Sequence, residues 1–232
     1  MSPTGQTIAG VTDLPRPPGV RKASAVLWLL AAGWLAVIAG AMFWILQYTN
    51  RPGAAGPGPG AWPAASGITR DPQVPTLLLF AHPRCSCTRA TMAELERLLA
   101  DCPGRVKAQV WFLHPAGTGA DWTNSALVKL ASAVSGVTVH WDENGAEAAR
   151  FHAATSGQTL LYDPSGHLLF SGGITLSRGH EGDNPGRAEL ETLLNQADAP
   201  PAFLRLPTTP VFGCSLFDDT CQAGSNAVPR QP

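Results

Sequence analysis

The stretch from Ala25 to Leu46, AVLWLLAAGWLAVIAGAMFWIL, carries no charge and shows no polar face. About 20 apolar residues rising 1.5 Å each cover a hydrocarbon core about 30 Å thick. A secretory signal has a core of only about 7–15 apolar residues. This one is longer, and Trp44, Gln47 and Tyr48 follow as interfacial anchors do. A helix buried in a soluble core would show a polar stripe. The sequence therefore predicts one membrane-spanning helix over residues 24–48, touching lipid through residues 25–46. Residues 1–23 form a polar tail dotted with Pro15, Pro17 and Pro18.

Arg16, Arg21 and Lys22 precede the span and only Arg51 follows it closely, which puts the N-terminus in the cytoplasm and the remainder outside. In a bacterium this is a single-pass inner-membrane protein with a periplasmic C-terminal domain, in a space where disulfides persist. With 16 Lys and Arg against 17 Asp and Glu, nothing makes a basic surface for nucleic acid.

After the span, residues 49–73 are rich in Gly and Pro and read as a semi-flexible spacer. A folded domain is expected over 74–197. Thr76–Ala81 is a continuous apolar run, the mark of a strand buried on both faces. Thr88 to Ala100 carries Met92, Leu95, Leu98 and Leu99 at helical spacing. Lys107–Leu113 predicts a strand, Asn124–Ala133 a helix, Val137–Trp141 a strand and Ala146–Ala154 a helix. Strands Gln158–Tyr162 and His167–Gly172 flank the turn Asp163-Pro164-Ser165-Gly166. A last helix opens with Asn184 as cap and Pro185 in its first position. This β-α-β-α-β-α-β-β-α order predicts an α/β fold, a mixed sheet flanked by helices. Residues 198–232 are a Pro-rich extension containing Cys214 and Cys221.

The chemistry concentrates where the first strand meets the first helix, in His82-Pro83-Arg84-Cys85-Ser86-Cys87. Reactive groups of open α/β sheets gather at the carboxyl ends of strands. A cysteine with a pKa near 8.5 is only a few per cent thiolate at pH 7. Lowering the pKa by two units requires about 2.7 kcal/mol. A helix N-terminus offers about 0.3–1 and at best about 2 kcal/mol. Arg84, Arg89 and a protonated His82 are the cations in sequence reach that supply the remainder if they point at the sulfur. Cys85 precedes the helix and is expected to be the more exposed sulfur and the nucleophile. Side chains two apart do not face each other in a helix or a strand. A Cys85–Cys87 bridge must therefore form within the turn under strain, and strained bridges are easily reduced. The alternatives are paired ligands for a soft ion such as copper, or two structural cysteines that merely pack.

These segments resemble a known family. HPRCSCTRATMAEL, ATSGQTLLYDPSGHLLFSGGITLSRGHEGDNPG and PVFGCSLF are similar to the RedB-like branch of membrane-anchored thioredoxin-like proteins, over roughly residues 74–218 and including the anchor. The resemblance implies a thioredoxin-like fold and thiol–disulfide oxidoreductase activity on protein thiols or disulfides outside the cytoplasm, with Cys85 and Cys87 as the redox pair and no cofactor. Two departures stand out. The Cys-x-x-Cys of ordinary thioredoxins is one residue shorter here. The cis-proline that faces their cysteines is missing from Ser156-Gly157-Gln158-Thr159. In the superfamily that proline shields the sulfurs from metal, so its absence keeps copper, handled with the logic of Sco-type chaperones, as the alternative.

Arg178, His180, Glu181 and Asp183 lie in a polar loop that either orients substrate or simply turns the chain into Asn184. Cys214 either folds back as a resolving thiol or third ligand, or pairs with Cys221. Cys102 reads as a semi-buried bystander.

Overall fold

The computed structural model describes residues 18–195 and 208–217, with side chains from Ser24 onward. Cys221, most of the C-terminal extension and the tail up to residue 17 lie outside the described residues. The chain divides into two compact units, Met1–Gln47 and Tyr48–Pro232.

The first unit holds most of helix α1, Pro18–Thr49. Within it, Ser24–Thr49 is long and apolar enough to cross a membrane, with a mean hydropathy of 2.2. Its large apolar side chains, Trp28, Leu29 and Trp44 among them, are exposed.

The second unit is built on five strands: β1 (Thr76–Ala81), β2 (Lys107–His114), β3 (Val137–Glu143), β4 (Gln158–Tyr162) and β5 (Leu168–Gly172). They lie side by side in the order β3-β2-β1-β4-β5. β1 is parallel to β2 and β2 to β3, whereas β4 is antiparallel to both β1 and β5. Helices α2 (Thr88–Asp101), α3 (Ala120–Thr123), α4 (Ala126–Ala133), α5 (Ala146–Arg150) and α6 (Pro185–Asn195) complete the unit.

Central strand β1 shows why the sheet needs two covers. Successive strand side chains alternate between faces. Leu77, Leu79 and Ala81 enter one core with Met92, Leu95 and Leu98 of α2 and Leu190 and Leu194 of α6. Leu78 and Phe80 enter a second core with Phe151, Leu160, Tyr162 and Leu216. Among the described residues, the only helix contributing to this second core is the short α5, through Ala148. The Gly/Pro stretch read as a spacer supplies what is missing. Ile68 is buried there and Trp62 packs edge-on against Phe151 and Tyr162. Its backbone is tied down by Trp62 N–H to Gly166 O (2.7 Å), Tyr162 Oη–H to Pro59 O (2.9 Å) and Gly67 N–H to Glu147 Oε1 (3.0 Å). A sequence without hydrophobic periodicity still forms a cover when backbone groups find partners on a sheet edge.

The smaller differences are local. The helix expected from Asn124 starts at Ala126, capped by Ser125, whose side chain accepts from Val128 N–H. The helix expected to reach Ala154 stops at Arg150, and His152 follows with a φ of +55°. The expected Asn184 cap is present, its Oδ1 accepting from Arg187 N–H at 2.8 Å.

Candidate functional site

The site is assembled where β1 ends. His82 N–H donates to Ser156 Oγ at 2.8 Å, and the Ser156 hydroxyl lies 2.7 Å from the Thr88 hydroxyl. Gly157 N–H donates to Phe80 O at 2.8 Å, from a φ of +93° that favours glycine. These bonds stitch the loop before β4 to the cysteine turn. Within the turn, Cys85 N–H reaches His82 O (3.0 Å) and Thr88 N–H reaches Cys85 O (3.2 Å), so Cys87 stands as the residue before α2 in helical conformation. Among the described residues no peptide bond is cis.

A third cysteine arrives from far along the chain. Residues 208–217 run as a strap over this end of the sheet. Ser156 N–H donates to Cys214 O (2.8 Å), Leu216 N–H to Ala154 O (2.9 Å), and Thr155 bridges Ser215 antiparallel. Gly213 packs so tightly that a Cβ there would fall 1.9 Å from Ser156 O, closer than any non-bonded pair allows.

The three sulfurs form one hydrogen-bonded group. The Cys214 thiol, the Cys87 thiol, the Thr88 hydroxyl and the Cys214 backbone N–H all act on Cys85, and together they overcome its burial to hold its thiol far below the usual cysteine range. The hydrogen bond to Cys85, burial, and the charge on Cys85 drive Cys87 the other way, well above that range, partly relieved by Arg178 beside it. The donors around Cys85 favour its thiolate form, and Cys87 supplies one of them.

Burial runs opposite to the sequence expectation. Cys85 is 2% exposed, while Cys87 and Cys214 are half-buried. Thr88, Ser156 and the strap close over the residue that was expected to be open, and local sequence holds no sign of a cover contributed from residue 214.

None of the three cations expected at the sulfur is among the groups that lower the Cys85 pKa. Arg84 pairs with Asp121 and lies over the Trp122 ring, 4.7 Å from its centroid, lining a cleft of about 200 Å³ with Gly117, Thr118 and Trp122. Arg89 is exposed on the first turn of α2. His82 is buried, and desolvation, opposed by Cys85, lowers its pKa, so it stays neutral at pH 7. Its Nδ1 accepts from Arg84 N–H (3.1 Å), which places the ring hydrogen on Nε2, a buried atom with no partner among the described residues. Pro83 is buried in the same turn.

Of the polar loop, only Arg178 reaches the sulfurs. It donates to Gly213 O at 2.5 Å and to Cys87. Glu181 lies 3.6 Å from Arg97 and Asp183 3.5 Å from Arg187, and no described contact brings either of them or His180 to a cysteine. Gly182 N–H and Asn184 Nδ2 instead donate to the fully buried carboxylate of Glu94 (2.7 and 3.2 Å), which also pairs with Arg97 and Arg187. Cys102 is buried behind the first core, its pKa raised chiefly by that burial. Sequence reasoning missed Thr88, Ser156 and Gly213; the adjacent Gly213-Cys214 pair was the available signal, since a glycine beside a cysteine permits close backbone approach.

A structure of a hypothetical protein from Sinorhizobium meliloti superposes with a TM-score of 0.55 at 16% identity, covering 70% of this chain and 96% of the other. The fold is thioredoxin-like. The parallel β1-α2-β2 unit, the β4–β5 hairpin and the closing α6 are its core, with the cysteines at the junction of β1 and α2. A thioredoxin-like protein solved in its oxidized form superposes with a TM-score of 0.41 (16% identity; 66% of this chain, 98% of that one). A secreted Mycobacterium tuberculosis disulfide oxidoreductase gives 0.37 (16% identity; 53% and 81%). No protein-family model matches the sequence, and no curated protein matches it.

One expectation tests the strap directly. Gly213→Val forces the strap off Ser156 O, at roughly 1–3 kcal/mol of stability. Cys85 then loses the Cys214 donor, so its thiolate should titrate nearer the ordinary cysteine range than in the wild type. The ultraviolet thiolate signal followed against pH checks this, and an unchanged midpoint would separate Cys214 from the Cys85 thiolate.

Proposed function

We propose that this thioredoxin-like protein is a membrane-anchored thiol–disulfide oxidoreductase of the RedB-like branch, with Cys85 as its attacking thiolate beside Cys87. The observation that carries the reading is a buried Cys85 sulfur ringed by thiol and hydroxyl donors at the start of a helix, which keeps it ionised where free cysteine is protonated. Thiolate is the species that attacks disulfides. The apolar helix over Ser24–Thr49 acts as an uncleaved anchor in a bacterial inner membrane, its N-terminus cytoplasmic, and the domain works in the periplasm on protein thiols and disulfides.

The gathering of Cys85, Cys87 and Cys214 favours a second reading, in which the sulfurs hold Cu(I). The reduced full-length chain in detergent micelles, given insulin as a disulfide substrate and a dithiol as electron donor, distinguishes the two. Catalytic turnover above the dithiol alone is expected. Stoichiometric Cu(I) binding without turnover would replace the oxidoreductase with a copper carrier.

A further inference from the structure

We propose that Cys214 is the resolving thiol: the strap delivers its sulfur to Cys85, and the oxidised protein carries a Cys85–Cys214 disulfide. This rests on the oxidoreductase reading and assigns the second half of its reaction.

Placement argues for Cys214. Its residue is held on both sides, by Ser156 N–H to Cys214 O and by Leu216 N–H to Ala154 O, with Gly213 seated against Ser156 O and bonded to Arg178. The fold thus devotes a distant segment to bringing one sulfur against another. Cys87 is placed less well to resolve. It shares a helix-starting turn with Cys85, closed by Thr88 N–H to Cys85 O, and a bridge between residues two apart must form within that turn under strain.

The chemistry balances. With the strap lifted aside, the Cys85 thiolate attacks one sulfur of a substrate disulfide, R–S–S–R′. A Cys85–S–S–R bond forms, and R′–S⁻ leaves and takes a proton from water. The strap returns, Cys214 gives up its proton, and its sulfur attacks Cys85 Sγ. The Cys85–Cys214 bond forms while R–S⁻ leaves and takes up that proton. Two protein thiols have lost two electrons and the substrate disulfide has gained them. A dithiol donor reverses the sequence.

The test uses the reduced full-length chain in micelles, with oxidised glutathione as the probe. After acid quench and alkylation, trypsin releases Cys85–Arg89, and chymotryptic cleavage after Phe217 separates Cys214 from Cys221. The expected wild-type product is the Cys85–Arg89 peptide linked to the Cys214 peptide. In Cys214→Ser a glutathione adduct on Cys85 should accumulate, its resolution slowed by about 100-fold or more. A bridge inside Cys85–Arg89 or between Cys214 and Cys221, with the variant clearing its adduct at the wild-type rate, overturns the inference while leaving the oxidoreductase intact. If neither protein forms an adduct or a disulfide, the oxidoreductase reading itself fails. The wild-type peptide map stands even if the variant folds poorly.

Discussion

Cys85→Ser is expected to lose disulfide-reductase turnover by about 10³-fold or more, since removing a nucleophile abolishes a step that neighbouring groups cannot supply. The same substitution should erase a spectroscopic signal. Reduced wild-type protein retains the ultraviolet absorbance of one thiolate at about pH 5, where a cysteine of pKa near 8.5 has none; the variant retains none. Stability gives an independent readout whose sign is fixed by linkage. The folded pKa of Cys85 lies below its unfolded value, so its contribution is complete above about pH 8.5 and fades as the pH falls toward the folded pKa. Cys87 is shifted upward, so its contribution is complete below about pH 8.5 and is lost only at higher pH. Below that value the slope therefore belongs to Cys85. The unfolding free energy of wild type relative to Cys85→Ser should shrink steadily from about pH 8.5 to about pH 5. A gap that stays flat over this range would mean that Cys85 is an ordinary thiol in a tight place.

The sequence made local features readable and left long-range ones hidden. The run Thr76–Ala81 declared itself a strand buried on both faces because both alternating sets are apolar, and Asn184-Pro185 declared a helix start because each residue has one dominant local use. The cover of the second face was illegible. Arg51–Gly67 has no hydrophobic period, and its role follows from backbone carbonyls that accept from the Tyr162 hydroxyl on β4 and from Leu168 N–H on β5, which composition cannot encode. At the site the pattern repeats. The turn that positions Cys85 and Cys87 was legible, whereas the burial of Cys85 depends on Cys214, which lies at the other end of the domain. The charges were misassigned for a related reason. Arg84 is the residue next to Cys85 but finds Asp121 and Trp122 first, while Arg178, 91 positions beyond Cys87, is the cation at the sulfurs. Proximity in sequence says which charges can reach a thiol, and competition among folded partners decides which one does.

Glu94→Ala should be the most destabilising single change outside the apolar cores. The carboxylate is fully buried on α2, accepts from Gly182 N–H, Asn184 Nδ2 and Arg97, and forms an ion pair with Arg187. Its removal leaves two donors unsatisfied and strips the mostly buried Arg187 of an ion-pair partner. Breaking a buried pair in this way costs about 3–5 kcal/mol. Arg187 keeps Glu191 and Asp101, which places the expected loss near 3 kcal/mol. For a domain of this size that lowers Tm by about 10 °C, measured by circular dichroism of the chain in micelles. Arg97→Ala provides the contrast. It cuts the same carboxylate's other ion pair, but from a side chain 45% exposed, and should cost less than about 1 kcal/mol. The two variants also separate stability from chemistry. Glu94 holds the loop that follows Arg178 into α6, so Glu94→Ala should loosen Arg178 from Cys87 and Gly213 and change the rate at which Cys87 is alkylated, while Arg97→Ala leaves that rate alone. Equal melting of the two variants would show that the bonds to Gly182 and Asn184 contribute little, and that α6 is held by Leu190 and Leu194 against β1 and α2 without help from the buried charge.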